Sequence, residues 1–226
     1  MNHGKKVLAV LLAKEATQSK TRLGGVLDVH ERAALSVAMT RDTLDVLIRI
    51  ESISRHLILT QDTQLTAIAL KKGVRVYQED AGRTLLENLE DLADEAAAQA
   101  FELMLVLPND IPLLNPADIS ALIDQHQRGV SLCAAQRDGG TNALLTSPPN
   151  AIPFLYGENS AEKHLQAASA RGLATRKTHY PSLLNDIDTP SDLAWLCRQS
   201  CGIHTAFFLG ENAIKERLVD LVGEAF

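Results

Sequence analysis

The sequence alternates short, continuously apolar runs with longer stretches whose apolar residues recur at helical spacing. Residues 7–13 are uninterrupted by charge, as a strand buried on both faces requires. Asp28 and Glu31 read as a capping box that opens a helix running to about residue 50. Within it Ala34, Leu35, Ala38, Leu44, Leu47 and Ile48 share a face. Residues 56–60 form a second strand, 62–72 a helix ended by Gly73, and 74–77 a third strand. Residues 83–100 are helical, with Glu and Asp outside and Leu and Ala inside. A fourth strand over 103–107 closes at Pro108, and Asn115 caps a helix with Pro116 at its first position. Residues 130–136 and 143–145 are extended, 158–171 are helical, and 173–179 form a further strand. Thr189-Pro190-Ser191-Asp192 starts another helix. The last stretch reads as a strand over 205–209 and a short helix over 211–226. This order predicts an α/β fold, a mostly parallel sheet with helices on both faces. Folds of that kind bind ligands at the carboxyl ends of their strands.

No internal repeat, low-complexity tract or linker divides the 226 residues, so residues 1–226 are expected to form a single domain. Residues 202–226 would either extend the sheet or make a dimer contact. Phe207, Phe208 and Phe226 would be costly to expose, which favours a homodimer. The net charge of −6 argues against polymeric nucleic acid as the main partner but not against a nucleotide. Cys133, Cys197 and Cys201 form no CxxC pair, which points to reduced thiols and a cytoplasmic protein. Cys133 lies in an apolar run and is expected in the core. No stretch reaches the roughly 20 apolar residues of a membrane span. The short run after Lys5 and Lys6 is a first strand rather than a signal peptide.

Four polar clusters fall at carboxyl edges of the expected strands. In the first, Lys14, Lys20 and Arg22 lie ahead of Gly24-Gly25, as a phosphate-binding loop or a solvated basic loop would have it. The segment has neither the GxxxxGK[ST] nor the GxGxxG pattern. In the second, Asp110 stands between Pro108 and Pro112, placed to anchor Mg²⁺ or to cap a turn. In the third, Asp186 and Asp188 point to one side if extended, about 6–7 Å apart. Like charges so placed need a cation or hydrogen bonds; the alternative is one cap and one solvated carboxylate. The fourth joins Gly139-Gly140-Thr141-Asn142, a hairpin turn or a close approach to ligand, with Tyr156-Gly157-Glu158-Asn159-Ser160. The Gly157-x-x-Ser160 helix start offers N–H groups to an anion, or Ser160 is only a cap. His164 is read as a packing histidine, with catalysis the alternative. Nothing suggests a Ser-His-Asp arrangement or zinc-ligand spacing, so metal-assisted nucleotidyl transfer is the chemistry left.

In order, the chain carries Lys14, Lys20-Thr21-Arg22-Leu23, Glu31-Arg32, Leu35, Asp42-Thr43-Leu44 and Pro108-Asn109-Asp110-Ile111-Pro112. Gly139-Gly140-Thr141-Asn142-Ala143-Leu144, Tyr156-Gly157-x-x-Ser160 and Asp186-Ile187-Asp188-Thr189-Pro190-x-Asp192-Leu193 follow. The set resembles the guanylyltransferases of coenzyme F-420 biosynthesis, called CofC in archaea and many bacteria and FbiD in mycobacteria. The resemblance covers about residues 5–200. It implies a GT-A-like nucleotidyltransferase fold. It also implies transfer of GMP from GTP to 2-phospho-L-lactate, phosphoenolpyruvate or 3-phospho-D-glycerate, with pyrophosphate released. Asp110, Asp186 and Asp188 would hold Mg²⁺. Thr141, Gly157 and Ser160 would hold the acid's carboxylate, with Asn142 beside them. Lys14, Lys20 and Arg22 would meet phosphates. The family often has a proline before the first lysine, where this chain has Ala13, and its Leu-Asn helix opening is only loosely matched at Leu86-Glu87-Asn88. Asn88 therefore receives no nucleotide contact. The rival readings are a nucleotidyltransferase making a sugar nucleotide or a molybdopterin dinucleotide, and a silent nucleotide binder.

Overall fold

The computed structural model describes residues 5–80 and 82–222. Apolar β1 (Val7–Leu12) leads through α1 (Val29–Leu47) to β2 (Arg55–Thr60), and α2 (Thr63–Lys71) leads to β3 (Arg75–Gln78). After α3 (Leu85–Ala98) the chain returns as β4 (Leu103–Pro108), followed by α4 (Pro116–Asp124). A hairpin of β5 (Gly129–Ala134) and β6 (Thr141–Ser147) precedes α5 (Ser160–Ala170) and β7 (Thr175–Thr178). The sheet order is β3-β2-β1-β4-β6-β5-β7. β1 pairs in parallel with β2 and β4, β2 with β3, and β5 with β7. β6 runs antiparallel to β4 and β5, so the mostly parallel sheet contains one reversed strand.

The two-fold alternation of strand side chains explains the uniformly apolar strands. Val7, Ala9 and Leu11 pack with Leu103, Leu105 and Leu107 beneath α1, α2 and α4. Leu8, Val10 and Leu12 pack with Met104, Val106 and Leu144 beneath α3 and α5. Both faces are thus covered, the condition under which strands lose polar alternation. Cys133 is fully buried in the first of these cores.

Three helices, α6 (Pro190–Leu196), α7 (Ile203–Glu211) and α8 (Ile214–Val222), complete a third core on the outer side of α1. Here the structure corrects the expected strand over 205–209, which is part of α7. The cause lies far away in the chain. Both carboxylate oxygens of Asp42 on α1 accept N–H groups at the start of α7, from His204 at 3.0 Å and Thr205 at 2.8 Å. A side chain at residue 202 would collide with this cap, because a Cβ on Gly202 would lie 2.2 Å from the Asp42 carboxyl carbon. Phe208 is buried in this core, whereas Phe207 is 68% exposed. Phe226, named above as costly to expose, lies outside the described residues. Among the described residues no helix is long and apolar enough to cross a membrane.

Candidate active site

A cavity of about 720 Å³ opens at the carboxyl ends of β1 and β4, where the strand order turns back on itself. That volume lies within the ordinary range for small-molecule sites. Its walls include Lys14, Lys20, Arg22, Asp110, Thr141, Asn142, Gly157, Ser160, Asp186 and Asp188. Every residue nominated from the sequence is therefore at this one place.

The loop after β1 is held by Asp62, which caps α2 with one oxygen and accepts the Ala16 N–H with the other at 2.9 Å. Two short 3-10 turns follow, and Lys20 between them takes a left-handed backbone, φ 55°. That bend sends its side chain inward, while Lys14 and Arg22 remain exposed on the cavity wall. Lys20 Nζ donates to Asp110 at 2.5 Å and Asp188 at 2.8 Å. Burial alone would lower the Lys20 pKa, but the two carboxylates outweigh it and raise the value, so the ammonium stays charged.

The turn after β4 is positioned by Asn109, whose Nδ2 donates to Thr40 Oγ1 on α1 at 2.8 Å. The Asp186–Asp188 segment lies alongside, its register fixed by Ile187 N–H donating to the Asp110 carbonyl at 3.1 Å. Ile187 is fully buried in the third core, which leaves its acidic neighbours to face the cavity together. Thr189 and Asp192 form a capping box for α6, and Asp192 also accepts the Asp188 N–H at 3.1 Å. Ligand oxygens of Asp110, Asp186 and Asp188 lie within 4.8 Å of one another. Burial, Asp110 and Asp188 raise the Asp186 pKa. Burial pushes Asp188 the same way, but Lys20 and Arg137 overcome it and hold its pKa below the usual range. Asp110 Oδ1 is buried without a partner.

Arg137 received no role from the sequence. Its Nη2 donates to Asp186 and Asp188 at 3.0 Å each. The one available signal was its place at the head of the glycine hairpin, because its partners are 49 and 51 residues away.

The opposite wall is built around uncharged side chains, although exposed Asp138 and Glu158 also line the cavity there. The glycines do make a hairpin turn between β5 and β6, with Gly139 at φ +67°, and the next residues line the cavity. Gly139 O accepts the Ala161 N–H at 3.1 Å, docking the turn on the first turn of α5. Ser160 N–H is taken up by Gly157 O at 3.1 Å, so this helix start offers fewer free N–H groups than the sequence suggested. Hydroxyls stand there instead. Thr141 Oγ1 lies 2.9 Å from Ser160 Oγ and 3.1 Å from His164 Nδ1. His164 is fully buried, in keeping with a packing residue, and burial lowers its pKa to about 4. Asn142 Nδ2 and the Tyr156 hydroxyl are buried without a partner. Asn88 is used structurally, accepting the Asp80 N–H at 2.8 Å and donating to Thr84 O at 3.0 Å.

Residues 7–216 match the family described as guanylyl transferase CofC like. The phosphoenolpyruvate guanylyltransferase of Rubrobacter xylanophilus is 37% identical over 192 residues, 84% of this chain and 93% of the relative. The 2-phospho-L-lactate guanylyltransferase of Methanothermobacter thermautotrophicus is 31% identical over 204 residues, 90% of each chain. The 3-phospho-D-glycerate guanylyltransferase of Colwellia psychrerythraea is 35% identical over 189 residues, 83% of this chain and 89% of the relative. In fold, a solved chain from Desulfovibrio desulfuricans G20 is similar with a TM-score of 0.78 at 18% identity, covering 95% of this chain and 98% of that one. A nucleotidyl transferase from Methanothermobacter thermautotrophicus gives a TM-score of 0.62 at 16% identity, covering 92% and 100%. With a matching family that spans nearly its whole length and relatives above 30% identity, the chain belongs to the CofC-like guanylyl transferase family.

Proposed function

We propose that this protein transfers GMP from GTP to a small phospho-carboxylic acid and releases pyrophosphate, in coenzyme F-420 biosynthesis. The acid is phosphoenolpyruvate, 2-phospho-L-lactate or 3-phospho-D-glycerate. The observation that carries the reading is that one cavity at the β1/β4 switch holds a basic loop, three clustered carboxylates and a hydroxyl pair.

Each wall has a task. Exposed Lys14 and Arg22 bind the triphosphate and balance its charge, which helps pyrophosphate leave. Lys20 holds Asp110 and Asp188 in position and faces the same phosphates. Asp110, Asp186 and Asp188 are oxygen donors that suit Mg²⁺, and the bare Asp110 Oδ1 and the raised Asp186 pKa both fit a divalent cation there. Such an ion, when bound, supplies positive charge between the two anionic substrates. Thr141, Ser160 and the backbone of Gly157 receive the carboxylate, and Asn142 Nδ2 donates to the same ligand. The acid's phosphate oxygen is thereby set to attack the α-phosphorus of GTP in line with the leaving pyrophosphate.

Residues 1–226 act as one domain in this reading. The protein works in the cytoplasm, as a homodimer whose contact includes exposed Ile203 and Phe207. The test is product analysis with Mg²⁺, GTP and each acid in turn. A guanosine diphospho-acid formed with one acid supports the reading. Absence of pyrophosphate with all three, while GTP still binds, would favour the sugar-nucleotide or silent-binder alternative.

A further inference from the structure

We infer that His164 is a positioning residue that sets which way the Thr141–Ser160 hydroxyl pair presents its proton to the cavity. The inference rests on the reading of that wall as the carboxylate site. The geometry starts outside the cavity. The Leu155 backbone N–H donates to His164 Nε2 at 2.8 Å. A backbone N–H can only donate, so Nε2 must carry a lone pair. Burial keeps the ring neutral, and a neutral ring with a bare Nε2 carries its proton on Nδ1. Nδ1–H therefore donates to Thr141 Oγ1, 3.1 Å away, rather than accepting from it.

The consequence is a count of protons. Thr141 and Ser160 bring one hydroxyl proton each, and one lies between their oxygens, 2.9 Å apart. With Nδ1–H donating into the pair, the second proton is left over and is available to a ligand on the cavity wall. With the opposite tautomer, Thr141 would donate to Nδ1 and Ser160 to Thr141. Both protons would be consumed and the wall would present lone pairs, which repel a carboxylate. The Leu155 N–H thus makes the wall a donor, through a ring that never touches the substrate. Tyr156 packs edge-on against that ring with centroids 5.2 Å apart, which holds the plane in which both ring nitrogens work.

Replacing the ring with Phe removes the acceptor of the Leu155 N–H in either role, so stability falls in both and the acid KM is the readout that separates them. His164→Phe leaves the pair both its protons but removes the N–H that fixes their direction, so the KM for the phospho-acid should rise roughly 2-fold to 10-fold, the range for one lost neutral hydrogen bond. The KM for GTP should stay within about 2-fold. His164→Asn places an amide N–H near the Nδ1 position and should recover part of the loss. An unchanged acid KM in a folded His164→Phe variant, or no recovery with Asn, would overturn the inference. Nitrogen-15 spectra of the histidine-labelled wild type test it without turnover. Nδ1 protonated and Nε2 bare at pH 7 is the expected state; Nε2–H or a charged ring contradicts it. If the wild type releases no pyrophosphate with any acid, the functional reading fails, and these spectra still decide the polarity of the relay.

Discussion

The two ends of the cavity are built on opposite electrostatic plans. At one end Asp110, Asp186 and Asp188 crowd together and are compensated by Lys20 and Arg137. At the other end Thr141, Ser160 and His164 carry no charge and are tied by a directed chain of hydrogen bonds. The charged end can trade partners, because a cation entering the cluster replaces one set of positive neighbours with another. The neutral end cannot trade. Its polarity is fixed by a main-chain N–H, and that fixed donor wall suits selection of a carboxylate. In the proposed reading, affinity for phosphates and selection of the acid are assigned to separate ends of one pocket.

The largest expected effect breaks the charged end. Asp188→Asn should lower kcat by about 10³-fold, since charge placed at the developing transition state is the main catalytic resource of such a site. Its circular dichroism spectrum should match the wild type, and pyrophosphate release gives the rate.

Acid should break the neutral end next. His164 at that end, and His126 away from the cavity after α4, where its Nδ1 lies 2.8 Å from Ser131 Oγ, are both buried, with pKa values lowered to about 4. The unfolded chain takes up these protons near pH 6.5, whereas the folded protein resists until about 4. Protonation therefore favours unfolding, so the stability is fully present above 6.5 and is lost as the pH falls to 4. Each histidine should account for up to roughly 3 kcal/mol across that window. Urea unfolding between pH 7 and 4.5 reads this directly, and His126→Gln should flatten the slope.

A smaller change sharpens the contrast. Ser160→Ala should raise the acid KM by about 10-fold and leave the GTP KM within about 2-fold, measured by varying each substrate separately. The smallest effect lies outside both ends. Asp42→Ala removes the cap on α7 and should cost about 1–2 kcal/mol in denaturant unfolding, with kcat kept within about 2-fold.

What the sequence disclosed and what it hid have a common cause. Local chemistry was legible. The Asp28/Glu31 and Thr189/Asp192 capping boxes, the Gly139-Gly140 hairpin and the apolar strands all depend on neighbours a few residues apart. The i, i+2 spacing of Asp186 and Asp188 also gave their shared direction, because buried Ile187 points the other way. Long-range partners were not legible. Residues 205–209 read as a strand because a short apolar run has no decisive period, and the carboxylate that caps the helix there is 162 residues upstream of His204. Lys20 looked like a phosphate ligand alone because Asp188, 168 residues away, could not be placed beside it. His164 could be read as a packing residue, but its bond to Thr141 spans 23 residues and leaves no local signature.

The measurement that bears most directly on this division is a two-substrate rate matrix. Pyrophosphate release would be followed with GTP and the phospho-acid varied independently, for wild type, Asp188→Asn and Ser160→Ala. The expected result is a split, with kcat collapsing in Asp188→Asn and only the acid KM rising in Ser160→Ala. If Ser160→Ala weakened GTP and acid alike, or Asp188→Asn turned over at a near-normal rate, the assignment of separate tasks to the two ends would be wrong.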